Sequence, residues 1–232
     1  MSPKMTRLQV RKLKKFPILI LFCALAAASL YLNKSPHNNT KQQPQPTAGQ
    51  FDYYLLALSW SPTFCLTRPE NAQCSGKGYG FVLHGLWPQY AKGGWPQSCD
   101  GQAKLSQAER ARGMEVFVTP ALLKHEWAKH GTCSGLDAMG YLAAADRALA
   151  AVKIPEPLQP LSKDVYYSAQ DIAQMFRRSN PGIPGDGLAV ICRGPELSEV
   201  RVCMGKDLSF QACGKGVKNQ CRSGDIRVPP VR

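Results

Sequence analysis

The sequence predicts an α+β fold, and three observations carry that expectation. Short apolar and aromatic runs recur that suit buried strands rather than long core helices. Between them lie segments opened by residues that cap helix N-termini. The two kinds of segment follow no regular strand–helix–strand alternation, which distinguishes the pattern from a doubly wound sheet.

Tyr53 to Trp60 is the first strand candidate, an apolar and aromatic run closed by Pro62. Tyr79 to Leu86 is the second, closed by Pro88. Ser106, followed three residues later by Glu109, forms a capping box and opens a helix. Thr119-Pro120 opens another, with Thr as N-cap and Pro at the first helical position. That helix should run through Trp127 to His130 and stop at Gly131. Further helices are expected over Tyr141 to Val152 and from after Ser168 to before Pro181. Leu188 to Cys192 and Val200 to Met204 read as strands.

A chain of 232 residues accommodates one ordinary domain plus a targeting segment. Hydrophobic residues make up 44%, with 18 prolines and 20 glycines, which fits a loop-rich globule and excludes a disordered chain. Net charge is +13. Six of those charges (Lys4, Arg7, Arg11, Lys12, Lys14 and Lys15) precede residue 33, where there is no acid, so +7 remains on residues 33–232. A body this basic attracts polyanions such as nucleic acid, although a merely soluble basic surface has the same composition.

Residues 1–32 read as a signal peptide or signal anchor. A basic stretch precedes the apolar run Phe16 to Leu32, and Ala24 to Ser29 supply the small residues of a cleavage site. The run is short for a membrane-spanning helix, which takes roughly 20 apolar residues, so both cleavage and retention stay open. The basic flank would remain cytoplasmic and send the rest outward, to the periplasm or the medium. Residues 33–50, rich in Asn, Gln, Pro and Thr, read as a flexible linker, and residues 51–232 as the folded domain. Of nine cysteines, Cys23 lies within the apolar run. The other eight (Cys65, Cys74, Cys99, Cys133, Cys192, Cys203, Cys213 and Cys221) suggest four disulfides in an oxidising compartment. Their number alone leaves on the order of a hundred pairings. The absence of a close Cys-x-x-Cys pair speaks against a zinc site.

Only four histidines are present, and His37 falls in the linker. The others sit in two segments: His84-Gly85-Leu86-Trp87-Pro88 and His125-Glu126-Trp127-Ala128-Lys129-His130-Gly131-Thr132-Cys133. Any one alone could be a structural histidine. Residues three and four apart share a helix face, so Glu126 neighbours Lys129 and His130, and His125 neighbours Lys129. One helix end therefore gathers an anion, two imidazoles and an ammonium. Zinc needs convergent ligands, and histidines five apart point to different faces. The set suits phosphate chemistry better. Cleavage of RNA requires a base for the ribose 2′-OH, an acid for the departing 5′-oxygen and cations for the charge on phosphorus. Histidine fits both proton transfers, and no metal is needed because the substrate carries its own nucleophile. DNA lacks that hydroxyl and should resist.

The two segments together, in this order and about forty residues apart, resemble the active-site segments of the ribonuclease T2 family. The likeness begins at Trp60, Pro62, Phe64 and Cys65 and covers nearly all of residues 51–232. It implies a central, mainly antiparallel sheet packed with helices and stabilised by disulfides. It further implies His130 as general base, His84 as general acid, His125 at the phosphate, and Glu126 and Lys129 stabilising the transition state. The implied bridges are Cys65–Cys74, Cys99–Cys133, Cys192–Cys221 and Cys203–Cys213. Trp87, Tyr90 and Trp95 are candidates to stack on a base. Gln89 stands where some members have a base-discriminating Asp, and Ser59 where many have Gln, so low base specificity is expected. The expected partner is RNA, with no cofactor and no metal, and the chain is expected to act as a monomer. Membrane contact would be limited to an uncleaved N-terminal segment.

Rival readings are an exported protein of this fold with a binding, signalling or inhibitory role, a metal-dependent nuclease or general phosphodiesterase, and a plain basic nucleic-acid binder. The five polar positions that match the family are intact, which favours catalysis over its loss. No recognisable binding motif supports the last rival. A cysteine nucleophile would require a free thiol such as Cys133, against the export reading.

Overall fold

The computed structural model describes residues 46–231, apart from Ser75 and Ser223. The expected signal segment and most of the expected linker lie outside the described residues. Among those described, no helix is long and apolar enough to cross a membrane. The last linker residues are fastened to the domain: Gly49 N–H donates to Cys133 O at 2.9 Å, and Lys206 Nζ donates to Gly49 O at 3.4 Å. Ordered packing therefore starts a few residues ahead of Phe51.

In chain order the elements are β1 (Tyr53–Trp60), α1 (Ser61–Thr67), β2 (Phe81–Gln89), α2 (Gln107–Gly113), α3 (Pro120–Lys129) and α4 (Ala138–Ala151). They are followed by β3 (Val165–Ser168), α5 (Ala169–Ser179), β4 (Leu188–Arg193), β5 (Glu196–Met204) and β6 (Asp225–Val228). The strands form one six-stranded sheet in the order β2-β1-β5-β6-β3, with β4 also paired to β5. Among these strands all pairings are antiparallel except the single contact of β5 with β6 at Glu196 and Arg227. The fold is α+β, as the pattern predicts.

Local capping accounts for the helices. Ser106 and Glu109 exchange both bonds of a capping box at α2. Thr119 Oγ1 accepts from Leu122 N–H at 3.2 Å to start α3. Ser168 and Asp171 form a second capping box, which opens α5. Helix α4 begins three residues before the expected Tyr141, because Asp137 caps it by accepting from Gly140 N–H at 2.7 Å.

Prolines produce two differences from expectation. Pro62 ends the strand and also opens α1, where its missing N–H costs nothing. Pro88 does not stop β2, which runs on to Gln89 with Pro88 opposite Tyr54. β2 is a terminal strand of the sheet, and an edge has room for a residue without a ladder donor. Strands β3 and β6, each four residues long, have no sequence signal of their own and exist through their pairing with each other.

The main core packs Leu56, Leu58 and Trp60 of β1 and Leu83 and Leu86 of β2 against Leu123 and Trp127 of α3 and Tyr141 and Leu142 of α4. Tyr141 fixes this layer by donating its hydroxyl to Leu86 O at 3.1 Å. A smaller cluster of Tyr53, Leu55 and Cys203, with Trp87 beside it, covers another part of the sheet. Four disulfides join Cys65 to Cys74, Cys99 to Cys133, Cys192 to Cys221 and Cys203 to Cys213.

Candidate active site

The site begins with an irregularity in β2. Gly85 pairs with Ala57 and Leu83 with Leu58, so His84 is the extra residue of a β-bulge. Strict alternation would turn residues 84 and 87 to opposite faces. The bulge shifts the phase, and the His84 ring meets the Trp87 indole edge-on with centroids 5.0 Å apart. A second bulge lies across the sheet: Ile191 pairs with Glu199 and Cys192 with Leu197, which leaves Ser198 extra on β5. Glu199 directly follows it and stands opposite Ser59 of β1.

Helix α3 packs against the β2 edge and supplies the other half of the site. Glu126, only 1% exposed, accepts the Trp87 indole N–H on Oε2 at 2.6 Å. Its Oε1 lies 3.6 Å from His84 Nε2. This contact depends on Gly85, because a Cβ there would fall on the Glu126 carboxylate and the Trp87 Nε1. His130, the residue that ends α3, stacks on Trp87 with ring centroids 5.2 Å apart. The chain then tightens into a 3₁₀ turn, Gly131–Cys133, rather than ending in a left-handed glycine. Gly131 is needed for space: a Cβ would strike Trp127 and Tyr141. The end of α3 is also pinned by the Cys99–Cys133 bridge and by Ser98 N–H donating to Lys129 O at 2.8 Å.

One indole thus has an imidazole on each of two sides, and their surroundings differ in sign. His84 Nδ1 is hydrogen-bonded to Glu199 Oε1 at 2.5 Å. Burial alone would lower the His84 pKa, but the hydrogen bond and charge of Glu199, with the charge of Glu126, outweigh it and raise the pKa above the ordinary value. Among the described residues His130 has no such partner. It is 5% exposed, and its Nδ1 is sealed from solvent without a hydrogen bond. Burial, then the charges of Lys129, His125 and His84, pull its pKa down to about 3. Burial also pushes Glu126 up to about 7, against the opposing pull of His84, Trp87 and Lys129. His125 is exposed and lowered by partial burial and by the charges of Lys129 and His84. The α3 residues and His84 therefore form one electrostatic unit.

Two clefts flank this centre. One, of about 360 Å³, is lined by Lys129, His130, Trp87, Trp95, Gln89 and Arg201, among others. The other, of about 340 Å³, is lined by His84, Glu199, Ser59, Asn71, Thr119 and Arg193, among others. Of the three expected aromatic residues, Trp87 and Trp95 line the first cleft, and Trp95 is 52% exposed. Tyr90 packs half-buried against the main core instead. Two residues absent from the sequence reading join the site. Glu199 bonds His84, and Arg201 bonds Glu199 through Nε at 2.8 Å and lies over the Trp87 ring at 5.3 Å. Their only local signal is alternation with the buried Val200 and Val202, which says that they share a strand face but not what they meet.

An α+β scaffold that holds two oppositely tuned histidines beside a buried glutamate and a lysine brings together the residue types that acid–base chemistry on an anionic substrate requires. The chain belongs to the ribonuclease T2 family, which it matches over residues 51–213. Among its relatives, a ribonuclease of Aeromonas hydrophila is 44% identical over 102 residues, covering 44% of this chain and 46% of that protein. Ribonuclease DdI of Dictyostelium discoideum is 28% identical over 202 residues, 78% of this chain and 86% of that one. The chain spans about half the length of the first curated relatives it matches. Among solved structures, the RNase-related protein from Calystegia sepium superposes with a TM-score of 0.63 at 27% identity, covering 78% of this chain and 98% of that one. RNase NT in complex with 5′-AMP superposes at 0.60 with 25% identity, again covering 78% and 98%.

Proposed function

We propose that the chain is a metal-independent endoribonuclease that cuts single-stranded RNA by transphosphorylation, leaving a 2′,3′-cyclic phosphate and then a 3′-phosphate. The observation that carries this reading is the opposite electrostatic setting of His84 and His130 across Trp87. Groups whose environments push their pKa values apart take the acid and the base roles.

His130 is the neutral imidazole and acts as base. With Nδ1 sealed, Nε2 is the nitrogen left to take the proton from the 2′-OH. The 2′-oxygen attacks phosphorus, the bond to the 5′-oxygen breaks, and His84 delivers its Nε2 proton to that oxygen. Lys129 supplies positive charge at the phosphate, and His125 a hydrogen bond to it. Glu126, protonated over much of the acid range, donates a hydrogen bond to a non-bridging oxygen. In the second step the roles reverse: His84 takes a proton from water and His130 returns one to the 2′-oxygen.

Low base specificity follows from how the cleft's polar groups are used. The Trp87 N–H is committed to Glu126, and Gln89 Nε2 donates to the main-chain Pro88 O at 3.0 Å. Stacking on Trp95 or Trp87 discriminates poorly among bases. Tyr90 would contribute only through its exposed edge. Four disulfides support export to an oxidising compartment, the periplasm or the medium. Cell fractionation checks this, and activity confined to the cytosol would count against it.

The test of the function uses the purified protein with mixed-sequence RNA and matched DNA in excess EDTA, alongside His84→Ala and His130→Ala. The expected result is cleavage of RNA alone, cyclic phosphate ends, and a loss of about 10²- to 10⁴-fold in each variant. Cleavage that stops on chelation, or that extends to DNA, would refute the reading. A digest cut after a single base would overturn the specificity.

A further inference from the structure

We propose that Glu199, held in place by Arg201, is the positioning residue of the general acid: it fixes the His84 ring, keeps its transferable proton on the nitrogen that faces Glu126, and maintains its cationic form. This inference rests on the acid role given to His84.

The two carboxylate oxygens of Glu199 are divided between two tasks. Oε2 receives Arg201, from Nε at 2.8 Å and from a terminal guanidinium nitrogen at 2.7 Å. Oε1 is left for the His84 Nδ1 at 2.5 Å, with the Ser59 hydroxyl also donating at 3.4 Å. A carboxylate that is 7% exposed would tend to hold a proton, but the hydrogen bonds and charges of His84 and Arg201 keep its pKa below the ordinary range. It therefore stays an acceptor. An Nδ1–H that donates to a fixed acceptor defines the tautomer, because the second proton of the cation must then reside on Nε2. That nitrogen is the one turned towards Glu126, at the centre of the site. When His84 gives up its Nε2 proton, the neutral ring retains Nδ1–H on Glu199 and presents a free Nε2 lone pair. This is the form needed to take a proton from water in the second step.

The strand geometry makes the arrangement rigid. Ser59 stands directly opposite Glu199 across the β1–β5 ladder, and Ala57 opposite Arg201. The small Ala57 and Gly85 lie side by side in the same row, which leaves Arg201 free to lean over Trp87. The charged and titratable groups around His84 are Glu199 and Arg201 from β5 and Glu126, His125 and His130 from α3 and its end. Glu199 alone among them touches Nδ1.

The experiment compares the wild type with Glu199→Gln, which preserves shape and removes the charge, and with Glu199→Asp as the conservative variant. The His84 imidazole is titrated by NMR in each, and kcat and KM on RNA are measured across pH. For Glu199→Gln the expected result is a His84 pKa lower by about one unit or more. The alkaline limb of kcat should move in the same direction, and kcat should fall about 10- to 100-fold with KM within about twofold. Glu199→Asp should recover part of both effects. An unchanged imidazole titration, or a loss confined to KM, would overturn the proposal. Wild-type protein inert towards RNA would sink the ribonuclease reading by itself, and the NMR titration would still decide whether Glu199 governs His84.

Discussion

At His130 the ring is stacked on Trp87, its Nδ1 finds no acceptor, and Lys129 and His125 bring positive charge close. A proton is therefore poorly held there, and the base form persists down to about pH 3. His84 has the reverse arrangement, with carboxylates near both nitrogens. The signs fix a pH profile. The base must be neutral, so activity falls only as pH drops towards about 3. The acid must be protonated, so activity is held below the raised His84 pKa and lost as pH rises through it. Glu126, at about 7, titrates in the same region, and the alkaline limb belongs to the pair rather than to one residue. Measured as kcat/KM on a dinucleoside phosphate, the profile should show a plateau in weakly acidic solution and an alkaline limb above the ordinary histidine value. An alkaline limb at or below that value would contradict the assignment of His84.

Elements place these side chains through backbone features that need little or no side chain. The bulge in β2 puts His84 and Trp87 together, and Gly85 lets Glu126 come in between. Gly85→Ala should displace Trp87 from Glu126, cost about 1–3 kcal/mol by overpacking, and lower kcat at least tenfold. Gly101→Ala is the control, because a Cβ there meets open space. Urea unfolding and steady-state kinetics on both variants check this. Equal behaviour of the two would mean that the close approach at Gly85 is not what orders the site.

Across the whole molecule, the halves of the site come from distant parts of the chain, and one cross-link pins the end of α3 to the loop that follows β2. Cys99–Cys133 closes a loop over a sequence separation of 34 and ends one turn beyond His130. Replacing both cysteines by serine should lower stability by about 3–4 kcal/mol, read from the urea midpoint, with kcat falling as the end of α3 loosens. Unchanged kcat and midpoint would show that packing alone fixes that turn.

The sequence by itself determined whatever depends on near neighbours. Caps at Ser106, Thr119 and Ser168 set helix starts, and three- and four-residue spacing grouped Glu126, Lys129 and His130. Where local signals were ambiguous it misjudged extent, as at Pro88, where only the edge position of β2 explains the continued strand. The number of cysteines was legible, while their pairing came through family resemblance and not from spacing. Tertiary structure alone decided that Glu199 meets His84 across a separation of 115 residues, and that the proton affinity of one histidine is raised and that of the other lowered. The physical reason is range. Hydrogen-bonded caps and helix faces are set within a few residues, whereas proton affinity depends on burial and on charges that folding brings in from remote strands.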